Sequence, residues 1–328
     1  MQTTIMKKTR DLLLTMPVAF NTGYDSVVSN VGNLMNQGFE VTLGAVPFAG
    51  KFSWNMDFTL GYNKNEITNL AGSQENLRGN SILGITYWTE IRGQPIGTIY
   101  GYKTDGIAQL GEDLSGIPFF AGKTLRHGDR KYVNKNDDNV INEEDLFILG
   151  NANPDFTFGF NNTFNFKLRN NSSLGLTVYL QGAVGNEIVN FNKFSLESFD
   201  GYKNNSTAAL NRWTPDNPTN LYPRATTKTA GNILSDHYVE DGSYLRIKDI
   251  TLSYTFSATI IKKFYCEGLT IFAGLKNIHT FTDYSGYDPE VSRFANNNLS
   301  MGADYGSYPM SKSYEFGLRM NFLTEILL

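Results

Sequence analysis

The stretch DFTFGFNNTFNFK, residues 155–167, decides the fold. Phe156, Phe158, Phe160, Phe164 and Phe166 share one parity, while Thr157, Gly159, Asn161, Thr163, Asn165 and Lys167 hold the other. Successive side chains of a strand point to opposite faces, so the stretch predicts a strand with one apolar and one polar side. FSWNMDFTLGYN (52–63) repeats the pattern, with Phe52, Trp54, Met56, Phe58, Leu60 and Tyr62 against Ser53, Asn55, Asp57, Thr59, Gly61 and Asn63. So do Leu174, Leu176, Val178 and Leu180; Ile250, Leu252, Tyr254 and Phe256; and Tyr314, Phe316, Leu318, Met320 and Phe322.

Working outward, eight strands are countable: 4–15, 34–46, 51–66, 155–168, 172–185, 243–257, 268–279 and 310–322. Soluble strands usually run about 5–6 residues. A tilted strand that crosses a bilayer needs about 9–11. The connections decide between a soluble sandwich and a membrane barrel. PFAG, RNNSS and 258–267 are short, whereas the segments before 155, before 243 and before 310 are long. Soluble domains seldom carry structureless loops beyond about 12–15 residues. Alternating short turns and long loops are the pattern of an outer-membrane barrel, with the turns periplasmic and the loops extracellular. In lipid every backbone polar group must be paired internally, so the strands belong to a closed barrel. Phe322 is the terminal aromatic of a last strand running toward the periplasm, and LTEILL follows it.

Composition agrees. The 328 residues contain 23 Phe, 18 Tyr and 3 Trp, and no segment has the length and apolarity of a membrane-spanning helix. A net charge of −4 without like-charge blocks gives no sign of nucleic-acid binding. Cys266 is the single cysteine, which excludes an intrachain disulfide and thiolate zinc clusters. His127, His237 and His279 lie far apart, and no nucleophile–base pair or phosphate loop stands out, so the chain does not read as an enzyme. MKKTRDLLLTMPVAF near the N-terminus imitates a signal peptide, but Asp11 interrupts it, and it reads as an extended segment.

One loop carries metal-like spacing. In NKNDDNVINEED (134–145) oxygen-bearing side chains occupy places one, three, five, nine and twelve, as in an EF-hand-type calcium loop. Candidate ligands are Asn134, Asn136, Asp138, the Val140 carbonyl and Asp145. The sixth place is Asn139 instead of Gly, and Asn can adopt the left-handed turn required there. With two carboxylates, any Ca²⁺ affinity belongs to the weak extracellular class, about 10⁻⁴–10⁻³ M. The competing reading is an Asx-rich turn held by its own side chains. Elsewhere, Trp213 reads as a loop brace. Asp288 and Glu290 are expected to pair with Arg293 or a neighbouring loop. Tyr284, Tyr287, Tyr305 and Tyr308 are open to stacking on sugars or peptides, or to packing.

Seven segments in order carry a resemblance: NVGNLMNQGFEV (30–41), GQPIGTIYGYKTDGI (93–107), GDRKYVNKNDDNVINEEDLFILGNANPDFTFGF (128–160), RWTPDNPTNLYPRA (212–225), YVEDGSYLRIKDITLSYTF (238–256), KNIHTFTDYSGYDPEV (276–291) and YPMSKSYEFGL (308–318). Together they resemble SusC/RagA-type TonB-dependent outer-membrane transporters. The resemblance implies a plugged barrel of about 22 strands, of which residues 1–328 correspond to the C-terminal part. The plug domain, the TonB-contacting segment and the N-terminal strands are then absent from it. It further implies uptake of oligosaccharide or peptide, a SusD-like surface lipoprotein as lid, and contact with outer-membrane lipid. No cofactor is required, and TonB is reached only through the absent N-terminal region. Two rival readings stand beside import: a surface binding or adhesion protein, and a secreted calcium-binding β domain released into the medium.

Overall fold

The computed structural model describes all residues except 1, 18–19, 25, 71–75, 79–80, 88, 200, 202, 227–232, 262–265, 294–300 and 323–328. Its frame is an antiparallel sheet of β1 (Gln2–Pro17), β2 (Ser26–Phe48), β3 (Phe52–Asn69), β4 (Phe156–Lys167), β5 (Ser173–Val184), β6 (Tyr244–Thr255), β7 (Cys266–Thr282) and β8 (Ser313–Phe322). Spatial order equals chain order. β1 and β8 each pair on one side only among the described residues, so the eight strands form an open sheet, a portion of a barrel wall. Two open edges are what eight strands drawn from a larger barrel are expected to show.

All eight expected strands are present, and β4 and β5 fall within one residue of expectation. β1 and β2 depart most. They pair from Gln2↔Val41 to Pro17↔Ser26, so only 18–25 separates them. Short and long connections therefore do not alternate at the first outward link. The pairing tolerates register shifts between Thr9 and Leu13, which blur the period of two that marks a strand in sequence. The LTEILL ending lies outside the described residues.

The sheet is apolar on its exposed side. Phe52 (42% exposed), Leu252 (48%) and Phe316 (83%) share a face left exposed by the described residues. Such a continuous apolar surface suits hydrocarbon and would be an aggregation hazard in water. Paired positions keep the phase: Phe158 sits opposite Leu60, Phe160 opposite both Phe58 and Leu180, and Leu318 opposite Ile271. Glycine lets rings fold flat across strands. A Cβ at Gly182 would lie 2.4 Å from Phe158 Cζ on the outer face, and one at Gly317 the same distance from Phe272 Cζ on the inner face.

Asn162 breaks the phenylalanine stripe, sharing its parity at mid-strand, yet it is only 7% exposed. The Trp54 indole N–H donates to Asn162 Oδ1 at 3.1 Å. A lone amide facing lipid would lack a partner, and the neighbouring strand supplies one.

The buried core lies in the long connections, which are not structureless as expected. Short strands pair within them: 98–101 with 147–151, 104–107 with 130–132, 119–120 with 140–141, and 187–190 with 239–241 and 303–304. Helix α1 (Phe191–Leu196) inserts Phe191 and Phe194 against Tyr87, Ile99, Val189 and Tyr238. A second cluster joins Ala108, Phe119, Leu125, Tyr132 and Ile141. The period of two stops where the sheet stops, so sequence alternation could not reveal this packing.

Candidate functional site

The loop body meets the inner wall at an ion-pair node. Arg246, 2% exposed, reaches from β6 to Asp288 Oδ1 (2.5 Å) and Glu290 Oε2 (2.6 Å) of the β7–β8 connection. Its Nε donates to Thr280 Oγ1 at 2.9 Å. Tyr244 donates its hydroxyl to Glu290 Oε1 at 2.7 Å, and the Met310 N–H donates to Asp288 Oδ2 at 2.9 Å. Burial by itself would raise the Asp288 pKa. The N–H groups of Glu290 and Met310 and the Arg246 guanidinium outweigh it and hold the carboxyl below its usual range. The acidic pair was expected to engage Arg293 or a loop; its partner is a strand arginine. An uninterrupted period of two would put Arg246 on the apolar face with Ile250 and Leu252. A register irregularity between Ile247 and Asp249 turns it inward. Without an observable bulge signal, sequence reading misses it.

The structure separates the four loop tyrosines. Tyr284 is buried and donates to Asp304 Oδ2 at 2.8 Å, while Tyr305 packs on the α1 cluster. Tyr287 and Tyr308 are 82% and 94% exposed and free to stack. Trp213 is a brace: it is buried, and its indole N–H donates to Gln109 Oε1 at 3.0 Å. His237 lies under the loops, its Nε2 2.9 Å from Glu197 Oε2. Burial lowers its pKa; the hydrogen bond to Glu197 opposes this, and the charges of Arg130 and Lys193 add to it.

The five candidate calcium ligands do share one loop, but it is closed on itself. Asp145, fully buried, accepts from the N–H groups of Lys135 (2.7 Å) and Asn142 (2.8 Å). Asp138 Oδ1 accepts from the Val140 N–H (2.8 Å), and Asn136 Oδ1 from the Asp138 N–H (3.1 Å). Asn134 donates its amide to the Asp138 carbonyl. The left-handed residue is Asp137 (φ 57°), at the fourth place, instead of Asn139 at the sixth. Asx turns thus account for the loop's shape. Among the described residues no group of three or more His, Cys, Asp or Glu is placed to hold a metal ion. Beside this loop a cleft of about 610 Å³ is lined by Tyr100, Tyr102, Glu143, Glu144 and Leu234, a mixed surface able to accept hydrogen bonds from hydroxyl or amide groups.

No helix among the described residues is long and apolar enough to cross a membrane, a finding silent on crossing strands. No family model matches the chain. It is 32% identical to TonB-dependent receptor P3 of Formosa agariphila over 96% of this chain and 31% of that protein. With TonB-dependent receptor SusC of Bacteroides thetaiotaomicron the identity is 26%, over 96% of this chain and 29% of SusC. Among solved structures, the RagAB peptide importer in its closed-closed state matches with a TM-score of 0.74 at 22% identity, covering 97% of this chain and 33% of the other. The chain thus spans about a third of the length of the relatives it matches. Over nearly its whole length the chain is similar in sequence to part of TonB-dependent receptors such as SusC, and in fold to a third of a RagAB importer chain.

Proposed function

We propose that the chain forms part of the wall and the outer loops of an energy-coupled outer-membrane importer for oligosaccharides or peptides. One observation carries this: a sheet apolar on its exposed face, with short links at one end and a packed body of long connections at the other. A transmembrane wall needs that lateral surface, and a ligand-capturing mouth needs that body. In this proposal the long connections face outward and the rest of the wall comes from sequence outside these 328 residues. So do the plug and the TonB contact. A SusD-type lipoprotein closes over the loops, and TonB-driven plug movement opens the lumen to captured ligand. The fold likeness to a structure described as a peptide importer supports the peptide class.

Uptake of labelled oligosaccharide or peptide pools by cells tests it. Import is expected to disappear on deletion of the gene and on collapse of the proton-motive force. A surface lipoprotein is expected to co-purify from solubilised outer membranes. Unchanged uptake of both pools, or recovery of the protein from the medium, would overturn the proposal.

A further inference from the structure

The apolar side of the wall carries a groove of about 360 Å³ at the end where the sheet meets the loop body. Phe158, Gly182, Leu245 and Phe281 stand opposite one another on β4, β5, β6 and β7. They form one row across four strands, each of which is paired on both sides, so the open edges of the sheet lie away from it. Phe158, Val184, Leu245 and Phe281 are the apolar lining of the groove. Gly182 adds no side chain to the row, and the Phe158 ring lies across it.

On the loop side of that row the lining turns acidic. Asp283 follows Phe281 by two residues, Asp241 precedes Leu245 by four, and both border the same groove. No Lys, Arg or His lines it. Asp241 Oδ1 accepts from the Ser243 N–H at 2.8 Å, and the exposed Asp283 has no hydrogen bond among the described residues. Neither carboxylate meets a cation among those residues. Beside them, burial holds the Glu187 carboxyl above its usual range. The Asn151 N–H opposes this, and the charges of Asp241 and Asp155 add to it. The rim of the groove is therefore a region of negative potential.

We propose that this groove seats one phospholipid whose headgroup ends in a primary ammonium, phosphatidylethanolamine. An acyl chain lies along Phe158, Val184, Leu245 and Phe281, and the ammonium donates to Asp241 and Asp283. The proposal rests on the membrane-crossing reading above, and it adds a bound lipid, its headgroup class and the residues that select it. Charge complementarity decides the occupant. Two carboxylates without a cation beside them attract an ammonium, whose N–H groups make charge-assisted hydrogen bonds. A choline headgroup has no N–H to donate, and a glycerol headgroup leaves the phosphate's negative charge facing the rim.

Lipid retention tests this. The protein, purified from outer membranes in detergent, would be incubated with equal amounts of phosphatidylethanolamine, phosphatidylcholine and phosphatidylglycerol of identical acyl chains. Native mass spectrometry then counts the lipids retained. Phosphatidylethanolamine is expected to be retained several-fold over the other two, with the preference shrinking as salt rises. In the double variant Asp241→Asn, Asp283→Asn the preference should vanish while total retention persists, because the apolar lining is intact. Asparagine keeps the oxygen that accepts from Ser243. Asp283→Asn alone, which removes no hydrogen bond among the described residues, should already weaken the preference. Equal retention of the three lipids by the unmodified protein, or a preference that survives the double variant, would overturn the proposal. So would a preference for phosphatidylglycerol that chelation abolishes, since the carboxylates would then hold a divalent cation. Recovery of the protein from the soluble fraction with no lipid retained would instead overturn the membrane-crossing reading itself.

Discussion

Arg246 shows how much one residue can hold. Its guanidinium is buried between two carboxylates and a threonine hydroxyl, so its removal leaves the buried Asp288 without a cation and half-buried Glu290 with only Lys248, 3.7 Å away. Arg246→Met is expected to destabilise the attachment of the β7–β8 connection by about 3–5 kcal/mol, read as loss of hydrogen-exchange protection at Met310. Unchanged protection there would show that the node does not hold the loop. His237 makes stability depend on pH near neutrality. Its folded pKa is lowered, so below about 6.5 the unfolded state binds the proton first and stability falls as pH falls toward the folded pKa. The protection factor at Tyr238, corrected for intrinsic exchange, should therefore fall between pH 7 and pH 5, and His237→Gln should flatten the profile. For the 134–145 loop, N–H donors occupy oxygens of both Asp138 and Asp145, and we propose calcium binding no tighter than about 10⁻⁴–10⁻³ M. Calorimetry with Asp138→Ala as control checks this; micromolar affinity, or heat that survives the substitution, would refute it.

Among the elements, β4 is the most exacting test of strand phase. Phe158 faces outward and its ring lies over Gly182, whereas Thr157 faces the inner side next to Gly61. Phe158→Arg near mid-bilayer is expected to cost about 2–4 kcal/mol in a membrane-folding assay, and Thr157→Arg much less. Equal tolerance would mean the faces are misassigned. The same strand was legible in sequence to within one residue, because five phenylalanines of one parity leave few alternatives. β6 was legible only in part. Its lower half alternates cleanly, but the irregularity beside Lys248 inverts the parity of Arg246 and Tyr244. A bulge is fixed by how two strands pair, and local spacing carries no mark of it.

For the whole molecule, the open sheet sets the expectation. Among the described residues β1 and β8 find no partner along one side, an arrangement that neither water nor lipid leaves stable. When these 328 residues are produced alone in detergent, amides of β8 should exchange far faster than those of β4, which is paired on both sides. Similar protection of the two strands would show that the edges find partners, through a second copy or through closure.

The sequence by itself determined the strands, their two faces and the long connections at one end. These follow from periodicity and chain length, which are local properties that any stretch carries within itself. Tertiary structure alone decided the rest. It paired Trp54 with Asn162 across 108 residues and Arg246 with Asp288 across 42. It also moved the hydrophobic core from the sheet into the loop body and closed residues 134–145 on their own donors. Each of these depends on which distant groups burial brings together: a buried polar group takes whatever partner the fold delivers to it, and sequence spacing does not encode that delivery.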